Sequence, residues 1–374
     1  MAEQLETPAL LLDLKQLDAN IVRMHDKLAP FNVTLRPHVK TNKCLEVTQR
    51  LFAGGRGPIT VSTLREAEFF FAAGYTDILY GVGIAPNKFA HAARLMEQGA
   101  ALKLVLDNLD CARLLAAFAR SGGHTFDVLL EVDCDGHRSG IAPHSPLLVE
   151  IATLLRSSGV RVSGVMTHAG NAYDSRSIAE IEACARQERE AVIEAARLLQ
   201  AAGFSLSVIS IGSTPTALFT QDLAGITEVR AGVFAFFDLV MAGLGVCQVQ
   251  DIAVSVLTTV IGHQPDKGWV IVDAGWMALS RDRGTAKQRV DQGYGIVCDL
   301  DGQPVDDLIV TAANQEHGII SSRAGRITGM GELPVGTQLR ILPNHACATS
   351  AQHGGYHVLA DGQPSDYWPR ISGW

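Results

Sequence analysis

With 374 residues, of which 47% are hydrophobic and 19% charged, and with 36 glycines, the chain exceeds the usual size of one domain and has the composition of a compact enzyme, which excludes a disordered or fibrous protein. A formal net charge of −8, without a basic stripe interleaved with aromatics, excludes nucleic acid as the main partner. The acidic N-terminus, the lack of any apolar run long enough for a bilayer and the seven scattered cysteines point to a soluble cytoplasmic protein, with no membrane role and no disulfide framework.

From about residue 30 to about residue 245, short aliphatic runs alternate with helical patterns. Strands are predicted near Val33–Leu35, Ile59–Ser62, Asp77–Tyr80, Leu102–Leu106, Val128–Val132, Val162–Thr167, Val208–Ile211 and Thr227–Arg230. Helices are predicted between them, including Leu64–Ala73, Lys88–Gln98, Leu109–Arg120 and Ile178–Ala202. Eight such alternations fit a (β/α)₈ TIM-type barrel. The rival is a doubly wound sheet, but no Gly-x-Gly-x-x-Gly follows the first strand. After Cys247 the texture turns to strands, at Ala253–Ile261, Trp269–Val272, Leu308–Thr311, Gln338–Leu342 and Tyr356–Leu359, separated by turns such as Asp301-Gly302 and Asp361-Gly362. The expected division is therefore a barrel over residues 7–250 and a mostly β domain over 251–374, with residues 1–14 adding a strand to the second.

In a barrel, chemistry gathers at the C-terminal ends of the strands. The first such end is Arg36-Pro37-His38-Val39-Lys40-Thr41. Lys40 would point into the barrel mouth, where a partly desolvated, cation-rich pocket turns an ammonium into a nucleophile able to form a Schiff base; the plain alternative is a solvated surface lysine. The other ends bring Ser62-Thr63, Asp107, the run Asp133–Gly140, His168, Gly212-Ser213-Thr214 and Gly232-Val233. Gly212-Ser213-Thr214-Pro215-Thr216 follows the seventh strand and Ala231-Gly232-Val233 the eighth, where barrels bind phosphate with amides and hydroxyls. Taken alone, Gly-Ser-Thr is also an ordinary turn. Asp133, Asp135 and His137 are either metal ligands or the shapers of a glycine-containing loop, the second being preferred. Within that run Arg138 is a fixed cation suited to a phenolate oxygen and to lowering the pKa of a nearby lysine.

The β domain carries Pro343-Asn344-His345-Ala346-Cys347-Ala348-Thr349. In an extended segment His345 and Cys347, at i and i+2, face the same side and can hold one ion. An imidazole with a thiolate favours zinc and leaves coordination positions open, although His-x-Cys by itself is unspecific.

In this order the motifs resemble a known family, the metal-activated D-serine dehydratase and D-threonine aldolase group of fold-type III pyridoxal-phosphate enzymes. The match runs from Thr7-Pro8-Ala9-Leu10 through Arg36–Lys40, His137-Arg138-Ser139-Gly140, Thr167-His168-Ala169-Gly170, Gly212–Thr216, Ala231-Gly232-Val233 and Val272-Asp273-Ala274-Gly275 to His345-Ala346-Cys347. Phe236-Phe237-Asp238, Ser280-Arg281-Asp282-Arg283-Gly284-Thr285 and Asn314-Gln315-Glu316-His317-Gly318 extend it. The resemblance implies that Lys40 carries pyridoxal 5'-phosphate, that Gly212, Ser213, Thr214, Gly232 and Val233 hold its phosphate, and that Arg138 approaches its phenolic oxygen. It places Arg230 beside the pyridine nitrogen and His38, His168 and Tyr173 around the cofactor. It also implies a divalent metal on His345 and Cys347, zinc first, with magnesium or manganese as alternatives.

Within the group dehydratases show His-x-Cys and aldolases His-x-Asp, so elimination from a D-3-hydroxy amino acid, D-threo-3-hydroxyaspartate or D-serine, is expected. Retro-aldol cleavage of a D-threonine-like substrate is the alternative; an amino-acid racemase would need a second base, and a non-catalytic cofactor carrier would have no use for the metal pair. The second carboxylate of hydroxyaspartate calls for Arg281 or Arg283, unless these are solvated loop arginines. A homodimer is expected by the same resemblance.

Overall fold

The computed structural model of the chain describes residues 5–324 and 333–374. Residues 1–4 of the expected N-terminal strand segment lie outside the described residues. The chain divides into two compact units: the described residues up to Arg23 with Val233–Ser372, and Met24–Gly232 with Gly373–Trp374. Among the described residues no helix is long and apolar enough to cross a membrane.

The chain opens with β1 (Ala9–Asp13) and α1 (Leu14–Leu28). It continues through β2 (Thr34–Pro37), α2 (Leu45–Leu51), β3 (Ile59–Val61), α3 (Leu64–Ala72), β4 (Asp77–Gly83), α4 (Phe89–Glu97), β5 (Ala101–Leu106), α5 (Leu109–Gly122) and β6 (Asp127–Val132). Then come α6 (Leu147–Ser157), β7 (Arg161–Thr167), α7 (Ile178–Ala201), β8 (Val208–Ile211), α8 (Thr214–Phe219) and β9 (Glu228–Ala231).

Strands β2 to β9 form one eight-stranded parallel sheet in the order β2-β9-β8-β7-β6-β5-β4-β3. A doubly wound sheet would keep two free edges. Here a parallel bridge from His38 to Thr60, with the Val39 amide donating to the Thr60 carbonyl at 2.9 Å, joins the end of β2 to β3 and nearly closes the barrel. The strands are aliphatic because both faces are covered: Leu79, Val105, Leu129, Met166 and Val208 pack as one buried row across β4 to β8.

At the opposite end from Lys40, Arg36 points back to the strand starts. Its Nε donates to Glu228 Oε2 at 2.8 Å, and its Nη1 and Nη2 donate to Asp77 Oδ1 at 2.9 Å and Oδ2 at 3.2 Å. Lys103 Nζ meets the same Asp77 Oδ1 at 2.7 Å, so one network ties the starts of β4 and β9 to β2 and β5.

After β9 the chain forms α9 (Leu239–Gly243), β10 (Val254–Gln264), β11 (Trp269–Val272), α10 (Trp276–Leu279), β12 (Ile296–Cys298), β13 (Pro304–Ala313), β14 (Gly318–Ser322), β15 (Gln338–Leu342), α11 (Ala346–Ser350), β16 (Gly355–Ala360) and β17 (Gln363–Pro369). A nine-stranded sheet orders them β11-β14-β13-β12-β15-β10-β1-β16-β17, and an added β10–β11 pairing brings its first strand back onto β10. β1 sits between β10, antiparallel, and β16, parallel. Its side chains join the core of this unit, where Ala9 and Leu11 pack with Leu257 and Leu359. Asp273 anchors the lead-in to β1: Oδ1 accepts from the Thr258 hydroxyl at 2.7 Å and the Thr259 amide at 2.9 Å, and Oδ2 accepts from the Thr7 hydroxyl at 2.5 Å.

One local expectation is overturned. The segment around His345 and Cys347 is not a strand: His345 is the extended residue (φ −134°, ψ 105°) that precedes α11, and Cys347 lies in its first turn. The reason is tertiary. Asp238 Oδ2 takes the Ala346 amide at 2.9 Å, and the chain turns there into a helix whose Thr349 amide reaches the His345 carbonyl at 3.1 Å.

Candidate active site

In the barrel unit, Lys40 stands two residues beyond the His38 bridge with its side chain exposed. Among the described residues no carboxylate pairs with its amine. His38 beside it is neutral: burial, and then the positive charges of Lys40 and Arg230 and the ring of His168, push its pKa well below the ordinary value. Its Nδ1 is buried and has no hydrogen-bond partner.

His168, the first residue after β7, directs Nδ1 at the Gly212 carbonyl, 2.9 Å away. A carbonyl only accepts, so Nδ1 carries the proton and Nε2 keeps a lone pair. Burial, together with Arg138, Arg230 and Lys40, lowers its pKa to about 4 against the opposing effect of the Gly212 bond. The Tyr173 ring lies 6.1 Å from it, centroid to centroid.

Arg230 is buried in β9, its Nη1 donating to Ser210 Oγ and its Nη2 to the Thr167 carbonyl, both at 2.5 Å. Burial lowers its pKa, against the charges of Glu228, Glu188 and Glu131. Arg138 is largely exposed, with Nη2 3.7 Å from Glu131 Oε1, an oxygen that also accepts from Ser139 Oγ at 3.1 Å. His38 and Lys40 follow β2, Arg138 lies in the loop after β6, His168 follows β7 and Arg230 is next to the last residue of β9, so all five lie at the C-terminal ends of the parallel strands.

The turn after β8 is held from several sides. Gly212 has φ 139°, and a Cβ there would meet the Arg230 carbonyl oxygen at 2.0 Å, so only glycine fits. Its amide donates to Glu188 Oε1 at 3.0 Å. Ser213 caps α8 in a reciprocal pair with Thr216, and its own amide reaches Thr216 Oγ1 at 3.1 Å. Gly232 likewise leaves no room for a side chain, since a Cβ would meet Thr41 Oγ1 at 2.8 Å and the His38 carbonyl oxygen at 2.9 Å. Val233 opens the other unit, where its carbonyl accepts from the Phe236 and Phe237 amides.

The loop 133–140 is shaped by its own carboxylates. Asp133 Oδ1 accepts from the Asp135 and Gly136 amides at 3.1 and 2.7 Å, while Asp135 Oδ1 accepts from the His137 amide at 3.1 Å and Oδ2 from the Asn171 amide at 2.9 Å. Among the described residues no group of three or more His, Cys, Asp or Glu is arranged to hold a metal.

The β unit carries the second constellation. His345 Nδ1 lies 2.7 Å from Asp282 Oδ2, and a carboxylate behind Nδ1 leaves Nε2 for a cation. Asp282, Cys347 and Asp238 hold the His345 imidazolium proton well above the ordinary histidine range in spite of burial. Asp238 is buried, taking the Met241 amide at 3.0 Å as well as that of Ala346. Asn344 Oδ1 accepts from the Thr285 amide at 3.2 Å and hydroxyl at 2.5 Å, joining the loop 280–285 to the loop of His345. Arg283 is already committed, its Nη2 2.6 Å from Asp291 Oδ2. Arg281 lies over the Trp276 ring at 5.3 Å, and no carboxylate pairs with it among the described residues.

Reading the motifs residue by residue misses Glu188 altogether. Its signal is a lone glutamate inside the buried stripe Ile181, Ala185, Glu188, Val192 and Ala195 of α7. Asp238 and Asp282 stand within quoted motifs, but nothing local says that they serve His345.

The donor chemistry fits a phosphate-bearing pyridine cofactor: Lys40 has a free amine, His38 has an orphaned buried nitrogen, and two arginines add positive charge. His345 Nε2 with Cys347 Sγ fits a borderline-soft divalent ion.

The chain is similar to known proteins along most of its length. The alanine racemase N-terminal domain family matches residues 12–240, and the putative serine dehydratase domain family matches residues 253–359. D-threo-3-hydroxyaspartate dehydratase of Delftia sp. (strain HT23) is 51% identical over 99% of this chain and 98% of its own. Its solved structure superposes with a TM-score of 0.97, covering 100% of this chain and 99% of that one, and a cysteine-to-alanine variant of it is known in a metal-free form. D-serine dehydratase of Dictyostelium discoideum is 30% identical over 95% of this chain and 93% of its own. D-threonine aldolase of Arthrobacter sp. is 29% identical over 98% and 92%.

Proposed function

Because this chain belongs to the family that joins an alanine racemase N-terminal domain to a serine dehydratase domain, we propose that it is a pyridoxal-phosphate- and metal-dependent dehydratase converting a D-3-hydroxy amino acid to a 2-oxo acid and ammonia. The observation that carries this reading is the unpaired amine of Lys40 among His38, His168, Arg138 and Arg230 at the end of a parallel barrel. D-threo-3-hydroxyaspartate is the substrate proposed first, and the reading includes a cytoplasmic homodimer, tested by light scattering.

When bound, pyridoxal phosphate supplies an electron sink for the carbanion at the α-carbon, and a divalent metal supplies a Lewis acid for the β-hydroxyl. Lys40 would be the covalent attachment point, and its Nζ, when free, would receive the α-proton. Gly212, Ser213, Thr214, Gly232 and Val233 would hold the phosphate; Arg138 would serve the phenolic oxygen and Tyr173 would line the pocket. Arg230 would stand at the ring nitrogen, and its guanidinium, too weak an acid to give up a proton there, would leave that nitrogen unprotonated. His168, its Nδ1 committed to Gly212, offers Nε2 only as an acceptor. His345 and Cys347 are the metal ligands, zinc suiting this pair best. Loss of the α-proton and the β-hydroxyl leaves an enamine, which takes up water and releases ammonia with the 2-oxo acid.

The deciding assay offers D-threo-3-hydroxyaspartate, D-serine and D-threonine to purified protein with chelator, and again after zinc is restored. Expected products are a 2-oxo acid and ammonia in equal amounts, largely abolished by chelation and recovered with zinc. Glycine plus an aldehyde would overturn elimination, and indifference to chelators would return His345 and Cys347 to a structural role. Since Arg283 is tied to Asp291, Arg281 is the partner proposed for the second carboxylate. Arg281→Ala should raise KM for D-threo-3-hydroxyaspartate about 10- to 100-fold and leave D-serine nearly unchanged, the loss of one charge-assisted contact. A parallel rise for both substrates would rule that contact out.

A further inference from the structure

We propose that Glu188 is a positioning residue for the phosphate-binding turn, its carboxylate locking the turn after β8 to the loop after β7 so that Gly212-Ser213-Thr214 is formed before any ligand arrives. The proposal rests on the cofactor reading above and goes beyond it, because Glu188 lies outside the set that touches the cofactor.

Glu188 occupies the buried stripe of α7 and is 0% exposed. Placing a carboxylate in an apolar helix stripe costs several kcal/mol unless hydrogen bonds compensate. Here Oε1 accepts from the Ala169 amide at 3.0 Å and the Gly212 amide at 3.0 Å, while Oε2 is buried with no hydrogen-bond partner among the described residues. These amides belong to two different loops, one immediately after His168 and one opening the turn. The same Gly212 offers its carbonyl to His168 Nδ1. Gly212 is therefore gripped on its N–H side by Glu188 and on its C=O side by His168, in a conformation that only glycine adopts. Ser213 and Thr216 complete the turn from within.

Without Glu188, two buried amides lose their acceptor and the turn is free to relax. The loss should fall on recognition of the phosphate far more than on recognition of the pyridine ring. Burial holds the Glu188 carboxyl above the ordinary range against these same bonds. A carboxyl oxygen accepts in either protonation state, so an amide oxygen in its place should serve as well.

The test titrates cofactor-free protein with pyridoxal phosphate and, separately, with pyridoxal, which lacks the phosphate, following absorbance. Wild type, Glu188→Gln and Glu188→Met are compared. Glu188→Met should bind pyridoxal phosphate about tenfold or more weakly while pyridoxal changes by less than about twofold, and Glu188→Gln should stay within about threefold of wild type for both, as expected for two backbone hydrogen bonds lost or kept. Equal losses for the two ligands in Glu188→Met, or a glutamine variant as selective against the phosphate as the methionine one, would overturn the proposal. Should Glu188→Met fail to fold, Glu188→Gln decides alone: retained preference for pyridoxal phosphate supports the proposal and a lost preference overturns it. Wild-type protein that binds neither ligand would overturn both this proposal and the reading it rests on, so the two failures are distinct.

Discussion

Lys40→Ala is expected to take up pyridoxal phosphate without covalent attachment, to lack the visible absorbance of the wild-type complex, and to lose lyase activity by at least about 10³-fold, the scale of a proton-transfer group removed. The choice of this lysine is structural as much as sequential. Lys43, three residues on, is paired with the buried carboxylate of Glu66 at 3.2 Å; Lys88 donates to the Tyr80 hydroxyl at 2.8 Å; Lys103 is bound to Asp77. Each has a partner that holds its proton or its position, whereas Lys40 sits among cations and neutral histidines. Lys43→Ala is the matching control and should keep both absorbance and activity. A Lys40→Ala protein with a normal spectrum and full turnover would remove the central assignment.

Arg36→Ala should have the largest effect on stability, about 3–5 kcal/mol, read as a lowered denaturant midpoint. The guanidinium is buried between Glu228 and Asp77, and its removal leaves the Glu228 carboxylate inside the protein with, among the described residues, only the Ser210 hydroxyl, at 2.7 Å, as a side-chain donor. Arg36→Ala combined with Glu228→Gln should recover part of the loss, because the orphaned charge is then gone; a double variant as weak as the two losses summed would show that no coupling exists. The pH dependence carries a sign. Burial alone would raise the Asp77 pKa, but Arg36 and Lys103 hold it below the ordinary value. A depressed folded pKa contributes stability above the unfolded pKa and loses it as pH falls through the folded one. The gap between wild type and Arg36→Ala should therefore narrow on acidification through the carboxylate range.

These two residues belong to one short motif, with Arg36 bonded to groups at the strand starts and Lys40 following the C-terminal end of β2. The barrel strands were legible because a parallel strand covered on both faces reads as an uninterrupted aliphatic run; β6 is buried along its whole length. In the β unit the expected strands fall on β10, β11, β13, β15 and β16, while β14 was not expected. β12 has only three residues, and β17, Gln363–Pro369, is polar, mostly exposed and contains prolines, so neither has a pattern to read. The extended reading of His345 and Cys347 failed for another reason: Asp238, more than a hundred positions earlier in the chain, takes the amide that starts α11.

Composition, the period of the aliphatic runs and the residue types at strand ends were enough to determine a parallel barrel and a mostly β second unit, and to single out Lys40, His345 and Cys347 as candidates, because these depend on local pattern and on side-chain chemistry. Tertiary structure alone decided that Lys43 is paired with Glu66 while no carboxylate among the described residues pairs with Lys40, which nitrogen of His168 carries the proton, that Arg283 is already spent on Asp291, and that Glu188 bonds the Ala169 and Gly212 amides. Each of these depends on distances between groups remote in sequence, where one hydrogen bond or one nearby charge sets a protonation state or consumes a donor, and no spacing along the chain encodes them.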